Sequence, residues 1–295
     1  MEQSFYMFRY LRVYSLLVAF FMPLSIWGYE FELACVLLFQ NEAQHLKEWI
    51  EYHRLMGVEH FFLYNNLSED NYLDILEPYI ERGEVELFQV PDRTLNQPDN
   101  LRVQCRVYNE ALRAARGRAK WVAFIDGDEY LVPLEHDNLT CFLEEYEAFG
   151  GVHASWLVFG TSNVQKIPPD RLKIETLVHC DVAPAKLGKS IVRPERVKRC
   201  TDPHVFLYMP TYFHVNANFT RFGWESIPTR ERLLVFHYYT GDLDHFINIK
   251  YPRRKLWYTH INLDTYLRDI ERYNQKYNPT MLQYVEQVKY MMNPG

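Results

Sequence analysis

The chain has 295 residues, of which 48% are hydrophobic and 24% are charged. These proportions are those of an ordinary globular protein and exclude a disordered or fibrous chain. Lys and Arg number 32 against 38 Asp and Glu, a net charge of −6. Because no basic excess is available to neutralise phosphates, the composition argues against nucleic-acid binding. Any anionic ligand must therefore meet local donors or a metal.

The first 28 residues differ from the rest of the chain. Two arginines precede an apolar run of 14 residues, Tyr14 to Trp27. A bilayer-spanning helix needs about 20 apolar residues, whereas the core of a signal peptide needs roughly 7–15. We therefore expect residues 1–28 to be a signal peptide or an uncleaved signal anchor, with the protein membrane-associated or in the secretory pathway. A buried N-terminal helix is the alternative.

From residue 32 onward, apolar runs of strand length alternate with helical patterns. Strands are predicted at Leu33–Phe39, His60–Tyr64, Val85–Val90 and Trp121–Ile125, and helices up to Gly57, over Tyr72–Arg82 and over Leu101–Arg116. Strands that are apolar throughout are typical of a sheet buried on both faces. The alternation predicts an α/β fold, a mostly parallel sheet with helices on both faces.

The pattern changes after Gly151. Apolar and aromatic runs follow with fewer helical patterns, until helices are predicted at Leu263–Tyr273 and Met281–Met291. We expect a nucleotide-binding half over residues 32–150 and a mixed α+β acceptor half over residues 151–257. The C-terminal helices, residues 258–295, are expected to pack on this domain.

Polar residues follow three of the predicted strands, at Gln40–Glu42, Asn65–Asp70 and Asp126–Glu129. In parallel sheets, ligands bind beyond the carboxyl ends of the strands. The third run places three carboxylates within four residues, which repel one another unless a positive charge lies among them. A hard divalent cation, which takes oxygen ligands, would supply that charge. The alternative is a solvated acidic turn.

Several motifs in a fixed order resemble glycosyltransferase family 92 and its bacterial relatives, which have the GT-A fold. The motifs are the run from Asn41 to Asp70, Gln104 with Asn109, Trp121–Tyr130 (WVAFIDGDEY), Trp156–Gly160, Lys189–Pro194, His204, and His237-Tyr238 followed by Phe246 and Lys250. The resemblance covers about residues 32–257. It implies a GT-A-like domain over this range.

The resemblance also implies an activity and a site. The expected reaction is an inverting hexosyl transfer from a nucleotide-sugar donor to a hydroxyl of a glycan, lipid-linked or protein-linked acceptor, assisted by Mn²⁺ or Mg²⁺. The implied metal ligands are Asp126, Asp128 and His237. The implied donor-binding residues are Asn41, Glu42, Asn66, Ser68, Asp70, Gln104, Asp126 and Lys189.

An inverting displacement also needs a base that accepts the proton of the acceptor hydroxyl. Asp181, Glu225 and Asp244 are the candidates in the second half, although each also fits a surface acid. Two other functions stay open. One is a catalytically impaired GT-A-fold protein that binds carbohydrate. The other is a sugar-phosphate nucleotidyltransferase, although the segment after the first strand lacks the glycine-rich loop that this chemistry uses.

Two further patterns have structural interpretations. The basic run at residues 253–255 is interpreted as a solvated face, which beside a membrane could touch anionic headgroups. Among the five cysteines, Cys180 and Cys200 are considered for one disulfide in an oxidising compartment.

Overall fold

The computed structural model describes residues 28–94, 96–223 and 226–293. The strands are β1 Phe31–Phe39, β2 His60–Asn65, β3 Val85–Gln89, β4 Ala119–Phe124, β5 Glu129–Pro133, β6 Gly151–Val158, β7 His179–Cys180, β8 Gly188–Val192, β9 Val197–Asp202, β10 Val205–Tyr208, β11 His214–Asn216, β12 Leu233–His237 and β13 Lys276–Tyr277. The helices are α1 Ala43–Leu55, α2 Tyr72–Glu81, α3 Gln97–Ala115, α4 Leu139–Glu144, α5 Lys173–Thr176, α6 Leu243–His245, α7 Tyr251–Trp257, α8 Leu263–Ile270 and α9 Val285–Met292. A π-helical turn, Phe246–Lys250, joins α6 to α7.

One central sheet runs through both parts of the chain, in the order β3-β2-β1-β4-β8-β6-β12-β5, with β11 also paired to β6. The first four strands are parallel, β8 is antiparallel to both of its neighbours, and β12 is parallel to β6 and antiparallel to β5. The expected α/β class, with a mostly parallel sheet, is confirmed.

Alternate residues of the central strands enter two different cores. Cys35 and Leu37 of β1 pack into a core with α1, α2, α4 and α9, whereas Ala34 and Val36 pack on the other face with α3, β9 and β10. Because both faces are covered, both sets of side chains are apolar, which is why these strands lack a polar alternation. The predicted burial of these strands on both faces is confirmed.

The same two cores exclude the disulfide considered for Cys180 and Cys200. Cys180 lies in the core with α1 and Cys200 in the core with α3, so the sheet separates the two thiols. All five cysteines are free. The disulfide interpretation is therefore wrong.

Helix α3 begins at Gln97, four residues before its predicted start at Leu101. The side chain of Asn96 accepts a hydrogen bond from the backbone N–H of Asp99 at 2.9 Å, which caps the helix. Pro98 lies in the first turn, where its missing N–H costs nothing. The polar first turn carries no apolar periodicity, which is why the hydrophobic pattern placed the start too late.

The N-terminal segment expected to be a signal peptide or anchor lies, apart from Gly28, outside the described residues. Within the described ranges, no helix combines the length and apolar character needed to cross a bilayer.

Glu48, buried in α1, holds the start of α5. Its two carboxylate oxygens accept hydrogen bonds from the backbone N–H groups of Lys173 and Ile174, both at 2.9 Å. Glu48→Ala would leave two buried donors without partners, so we expect a loss of about 2–4 kcal/mol in the free energy of unfolding. Chemical denaturation measures this loss. The exposed Glu77→Ala is the control, expected within about 0.5 kcal/mol of wild type, and a Glu48→Ala variant as stable as this control would contradict the prediction.

Candidate functional site

A cavity of about 510 Å³ opens at the carboxyl ends of β1 and β4. Residues from several elements form its wall. They are Leu38, Phe39, Gln40 and Glu42 at the end of β1 and after it, Asn66 after β2, Thr94, Gln97, Asn100, Leu101 and Gln104 before and at the start of α3, the turn at 126–128, Trp156, Lys189, His204, His237, Tyr239, and Lys250, Pro252, Arg253, Arg254, Leu256 and Trp257 of the π-helical turn and α7. This edge of the sheet is where open α/β folds bind ligands. The polar runs after the strands therefore meet at one cavity.

Asp126 lies in the turn between β4 and β5 and joins two neighbouring elements. Its Oδ2 accepts a hydrogen bond from Lys189 Nζ and its Oδ1 one from Gln104 Nε2, both at 2.8 Å. Lys189 is 1% exposed and also lies 3.7 Å from the carboxylate of Glu129. Desolvation works against the charged form, yet Lys189 holds the pKa of Asp126 below its usual value. Burial raises the pKa of Glu129 to about 7, and Lys189 opposes that rise.

Asp128 faces a second lysine and a histidine. Its Oδ2 accepts a hydrogen bond from Lys250 Nζ at 2.5 Å, and its Oδ1 lies 3.6 Å from His237 Nε2. The backbone carbonyl of Asp128 accepts a hydrogen bond from Tyr238 N–H at 2.8 Å, which fixes the turn against the end of β12. Burial opposes ionisation, but Lys250 and His237 hold the pKa of Asp128 well below its usual range. Asp128 is therefore a carboxylate at neutral pH.

The pair formed by Asp128 Oδ1 and His237 Nε2 suits a divalent cation. Within the described residues, no group of three or more His, Cys, Asp or Glu side chains is arranged to hold a metal ion. Mg²⁺ is usually bound through one or two carboxylates and takes its remaining ligands from substrate phosphates and water. Asp128 supplies one such carboxylate, with the imidazole of His237 beside it. Asp126, the third predicted ligand, accepts hydrogen bonds from Gln104 and Lys189, and its contact with a metal stays a prediction.

The structure separates the predicted donor-binding residues into two groups. Glu42, Asn66, Gln104, Asp126 and Lys189 line the cavity. Asn41, Ser68 and Asp70 are not among its lining residues, and they tie the loop after β1 to the loop after β2. Ser68 Oγ accepts a hydrogen bond from Asn41 N–H at 2.9 Å, and Asp70 Oδ2 accepts one from Ala43 N–H at 2.8 Å. Asn41 has φ 55°, the left-handed region that asparagine tolerates.

The hydrogen bonds to the N–H groups of Asn41 and Ala43 hold the chain on both sides of Glu42. Glu42 lies directly before α1, and its carboxyl group lies against Gly127. The contacts that the structure gives Asn41, Ser68 and Asp70 are thus contacts between loops. Their predicted contacts with a donor stay predictions.

The two described candidate bases, Asp181 and Asp244, lie outside the cavity lining. Asp181 follows β7, and Asp244 lies in α6, where its carboxylate accepts a hydrogen bond from Gln165 Nε2. Neither residue is among those that line the cavity. Glu225 lies outside the described residues. Their predicted role as the base stays a prediction.

Helix α7 brings cationic side chains that the sequence interpretation assigned to solvent. Arg253 and Arg254 line the cavity, and the guanidinium of Arg254 lies 5.4 Å from the ring centre of Tyr239 and 5.6 Å from that of Trp257. The interpretation of the basic run as a solvated face is therefore wrong for Arg254. The aromatic residues that flank the run were the available signal, since a guanidinium stacks on such rings.

His204 and Trp156 form the wall between β6 and β8. His204 Nδ1 lies 2.8 Å from the carbonyl oxygen of Gly188, and the imidazole packs edge-on to Trp156 with ring centres 5.0 Å apart. On its other side, Trp156 lies 4.6 Å from the ring of His237. Burial and the charge of Lys189 lower the pKa of His204. His204 is named among the family motifs of the sequence but is assigned no role there, because its neighbours Trp156 and Gly188 are distant in the chain.

The fold and the cavity define an α/β protein with a charged ligand site at the carboxyl edge of its sheet. The sequence profile of glycosyltransferase family 92 matches residues 33–258, and the chain belongs to this family.

Relatives and solved structures show what the chain is similar to. A castor bean (Ricinus communis) glycosyltransferase family 92 protein is 25% identical over 231 residues, which cover 77% of this chain and 38% of that protein. A galactan beta-1,4-galactosyltransferase of Arabidopsis thaliana is 31% identical over 112 residues, 36% of this chain and 22% of that protein. The chain thus spans less than two fifths of the length of these relatives. Staphylococcus aureus TarS 1–349 in complex with UDP-GlcNAc is 13% identical with a TM-score of 0.38, covering 65% of this chain and 59% of that one.

Proposed function

We propose that this protein is an inverting glycosyltransferase that transfers a hexose from a nucleotide-sugar donor to a hydroxyl group of a glycan, assisted by Mn²⁺ or Mg²⁺. Membership of glycosyltransferase family 92 supports sugar transfer as the reaction. The Arabidopsis relative is named as a galactan beta-1,4-galactosyltransferase, so galactose is the first donor sugar to test and β-1,4-galactan the first acceptor.

The observation that carries the proposal is the grouping of charges in the cavity. Two carboxylates, Asp126 and Asp128, are each paired to a lysine, and the guanidinium groups of Arg253 and Arg254 lie on the same wall. Such a mixture suits a diphosphate together with a cation, because a departing nucleoside diphosphate gains negative charge that fixed positive groups stabilise.

The residues of the chain have separate roles in this proposal. Asn66 and Gln104 lie on the wall between the ends of β1 and β2 and the start of α3, where the nucleoside would bind. Lys189 and Lys250 keep the two aspartates ionised and in place. Asp128 and His237 would hold the divalent ion. A bound Mn²⁺ or Mg²⁺ would supply the positive charge that stabilises the leaving diphosphate.

Membrane association through the N-terminal segment completes the proposal. Its support is the apolar run from Tyr14 to Trp27 with two arginines before it. A lipid-linked or polysaccharide acceptor at a membrane surface would suit such an anchor.

Ligand-dependent unfolding tests the donor and the metal together. We expect UDP-galactose with Mn²⁺ to raise the melting temperature of the protein, since a ligand at 100 times its Kd stabilises the folded state by about 2.7 kcal/mol. The measurement is differential scanning fluorimetry with UDP, UDP-galactose, UDP-glucose and UDP-GlcNAc, with and without Mn²⁺, followed by transfer assays on galactan oligosaccharides.

The pattern of shifts discriminates the alternatives. A shift that needs both nucleotide and Mn²⁺, with transfer of the sugar, supports the proposal. A shift without transfer to any acceptor favours a carbohydrate-binding protein that has lost activity. If no nucleoside diphosphate or nucleotide sugar changes the melting temperature in either condition, the proposal is wrong.

A further inference from the structure

Within the described residues, the carboxylates that line the cavity are poorly placed or poorly suited to take a proton from an acceptor. Asp126 and Asp128 are each committed to a lysine. Glu42 lies against the turn that carries them, with its carboxyl carbon 3.5 Å from the position that a Cβ of residue 127 would occupy. All three carboxylates belong to the group of charges proposed to hold the metal and the diphosphate. We therefore looked for a proton acceptor among the other side chains that line the cavity.

His204, which lines the same cavity, has an imidazole in a defined tautomer. A backbone carbonyl oxygen can only accept a hydrogen bond, so His204 Nδ1, 2.8 Å from Gly188 O, must carry the proton and donate. Nε2 of the neutral ring is then an unprotonated acceptor. His204 lines the cavity, and among the described residues no hydrogen bond involves its Nε2. The tautomer is thus the one a general base requires.

The backbone of His204 is held as firmly as its ring. Its N–H donates to Asp202 Oδ1 at 2.9 Å, and its carbonyl oxygen accepts from Ser190 Oγ at 2.9 Å. The nearby charges are Lys189, which disfavours the imidazolium, and Asp126 and Asp202, which favour it. These contacts fix the backbone of His204 and the orientation of its imidazole.

A chain of contacts places His204 near the pair formed by Asp128 and His237. The indole of Trp156 lies between the rings of His204 and His237, at 5.0 Å and 4.6 Å, and His237 faces Asp128. On the other side, Gly188 precedes Lys189, which binds Asp126. His204 and the two aspartates thus line one cavity, and the indole of Trp156 contacts both His204 and His237.

We propose that His204 is the general base of the transfer, an inference that rests on the proposed function. As the acceptor oxygen attacks the anomeric carbon, its proton passes to His204 Nε2. The new bond between carbon and acceptor oxygen forms while the bond to the β-phosphate oxygen breaks, and the electron pair of that bond leaves on the diphosphate. The imidazolium then releases its proton to water.

The test uses a substitution that keeps the structural contact and removes the base. In His204→Asn, the side-chain amide still donates to the carbonyl of Gly188 but offers no basic nitrogen. We expect kcat to fall about 10²–10⁴-fold, with KM for the donor and the UDP-induced rise in melting temperature unchanged. His204→Gln places an amide near the position of Nε2, and we expect its kcat to fall by the same factor. This variant replaces His204→Asn in the test if the asparagine variant does not fold. The exposed His260→Asn is the matched control.

A pH profile separates a base from a structural residue. In wild type, kcat/KM should fall as the pH drops through the pKa of His204, because the imidazolium accepts no proton. The residual activity of His204→Asn should lack this acidic limb. A His204→Asn variant with kcat within threefold of wild type overturns the assignment of the base while the proposed function stands. A wild type that transfers no sugar overturns the proposed function and this inference with it.

Discussion

Replacing Asp128 with asparagine should reduce sugar transfer about 100-fold or more while the protein stays folded. The substitution keeps the shape of the side chain but removes the negative charge that faces His237 Nε2 at 3.6 Å. A metal held by this pair would lose its charged ligand, and the stabilisation of the leaving diphosphate would go with it. The readouts are the rate of transfer and the Mn²⁺-dependent rise in melting temperature with UDP, both of which should be lost.

The same substitution has a smaller effect on stability. Lys250 would face a neutral oxygen at 2.5 Å instead of a carboxylate, so we expect about 1–3 kcal/mol less free energy of unfolding. The exposed Asp137→Asn is the control and should behave as wild type in both assays. Full transfer activity in Asp128→Asn would show that the metal site has been assigned to the wrong residue.

Lys189→Met should cause the largest loss of stability, about 3–5 kcal/mol. The ammonium group is 1% exposed and lies 2.8 Å from Asp126 and 3.7 Å from Glu129. Removing one partner of a buried ion pair leaves the other charge without compensation, which costs more than the pair itself contributes. Denaturant unfolding measures the loss, with the exposed Lys198→Met as the control.

The pH dependence identifies the charge that is left behind. Burial already raises the pKa of Glu129 from 4.5 to about 7, and without Lys189 it rises further. The folded state then binds this proton more tightly than the unfolded chain does, so the free energy of unfolding falls as the pH rises from 4.5 through the folded pKa. Lys189→Met should therefore be closer to wild type at pH 5.5 than at pH 8. An equal deficit at both values would exclude Glu129 as the source of the instability.

Strand positions were predicted well because burial on both faces requires continuous apolar runs. The predicted strand at Leu33–Phe39 lies within β1, and the one at Trp121–Ile125 overlaps β4. Boundaries set by side-chain hydrogen bonds were predicted less well. Helix α3 begins where the side chain of Asn96 caps it. Hydrophobic periodicity does not detect such a cap, because the residues of the cap and first turn are polar.

The acidic turn was also predicted from a local pattern, because three carboxylates directly after a buried strand repel one another unless a positive charge lies nearby. The sequence indicates that need, but the residues that meet it are distant in the chain. Lys189 comes from β8 and Lys250 from the π-helical turn, 63 and 122 residues from their aspartates. No local sequence pattern connects each lysine to its aspartate, because only the tertiary fold brings β8 and the π-helical turn next to the acidic turn.

The amino-acid sequence by itself determined the α/β class, the cavity edge of the sheet and the acidic turn at Asp126–Glu129, since each depends on local hydrophobic pattern and local charge. Only the tertiary structure decided which groups face those carboxylates, and it alone placed His204 in the cavity lining with its Nδ1 hydrogen-bonded to the carbonyl of Gly188. The tautomer of a histidine and the partner of a buried charge depend on atoms from distant segments. Packing brings those atoms within 3 Å, and no spacing along the chain encodes that distance.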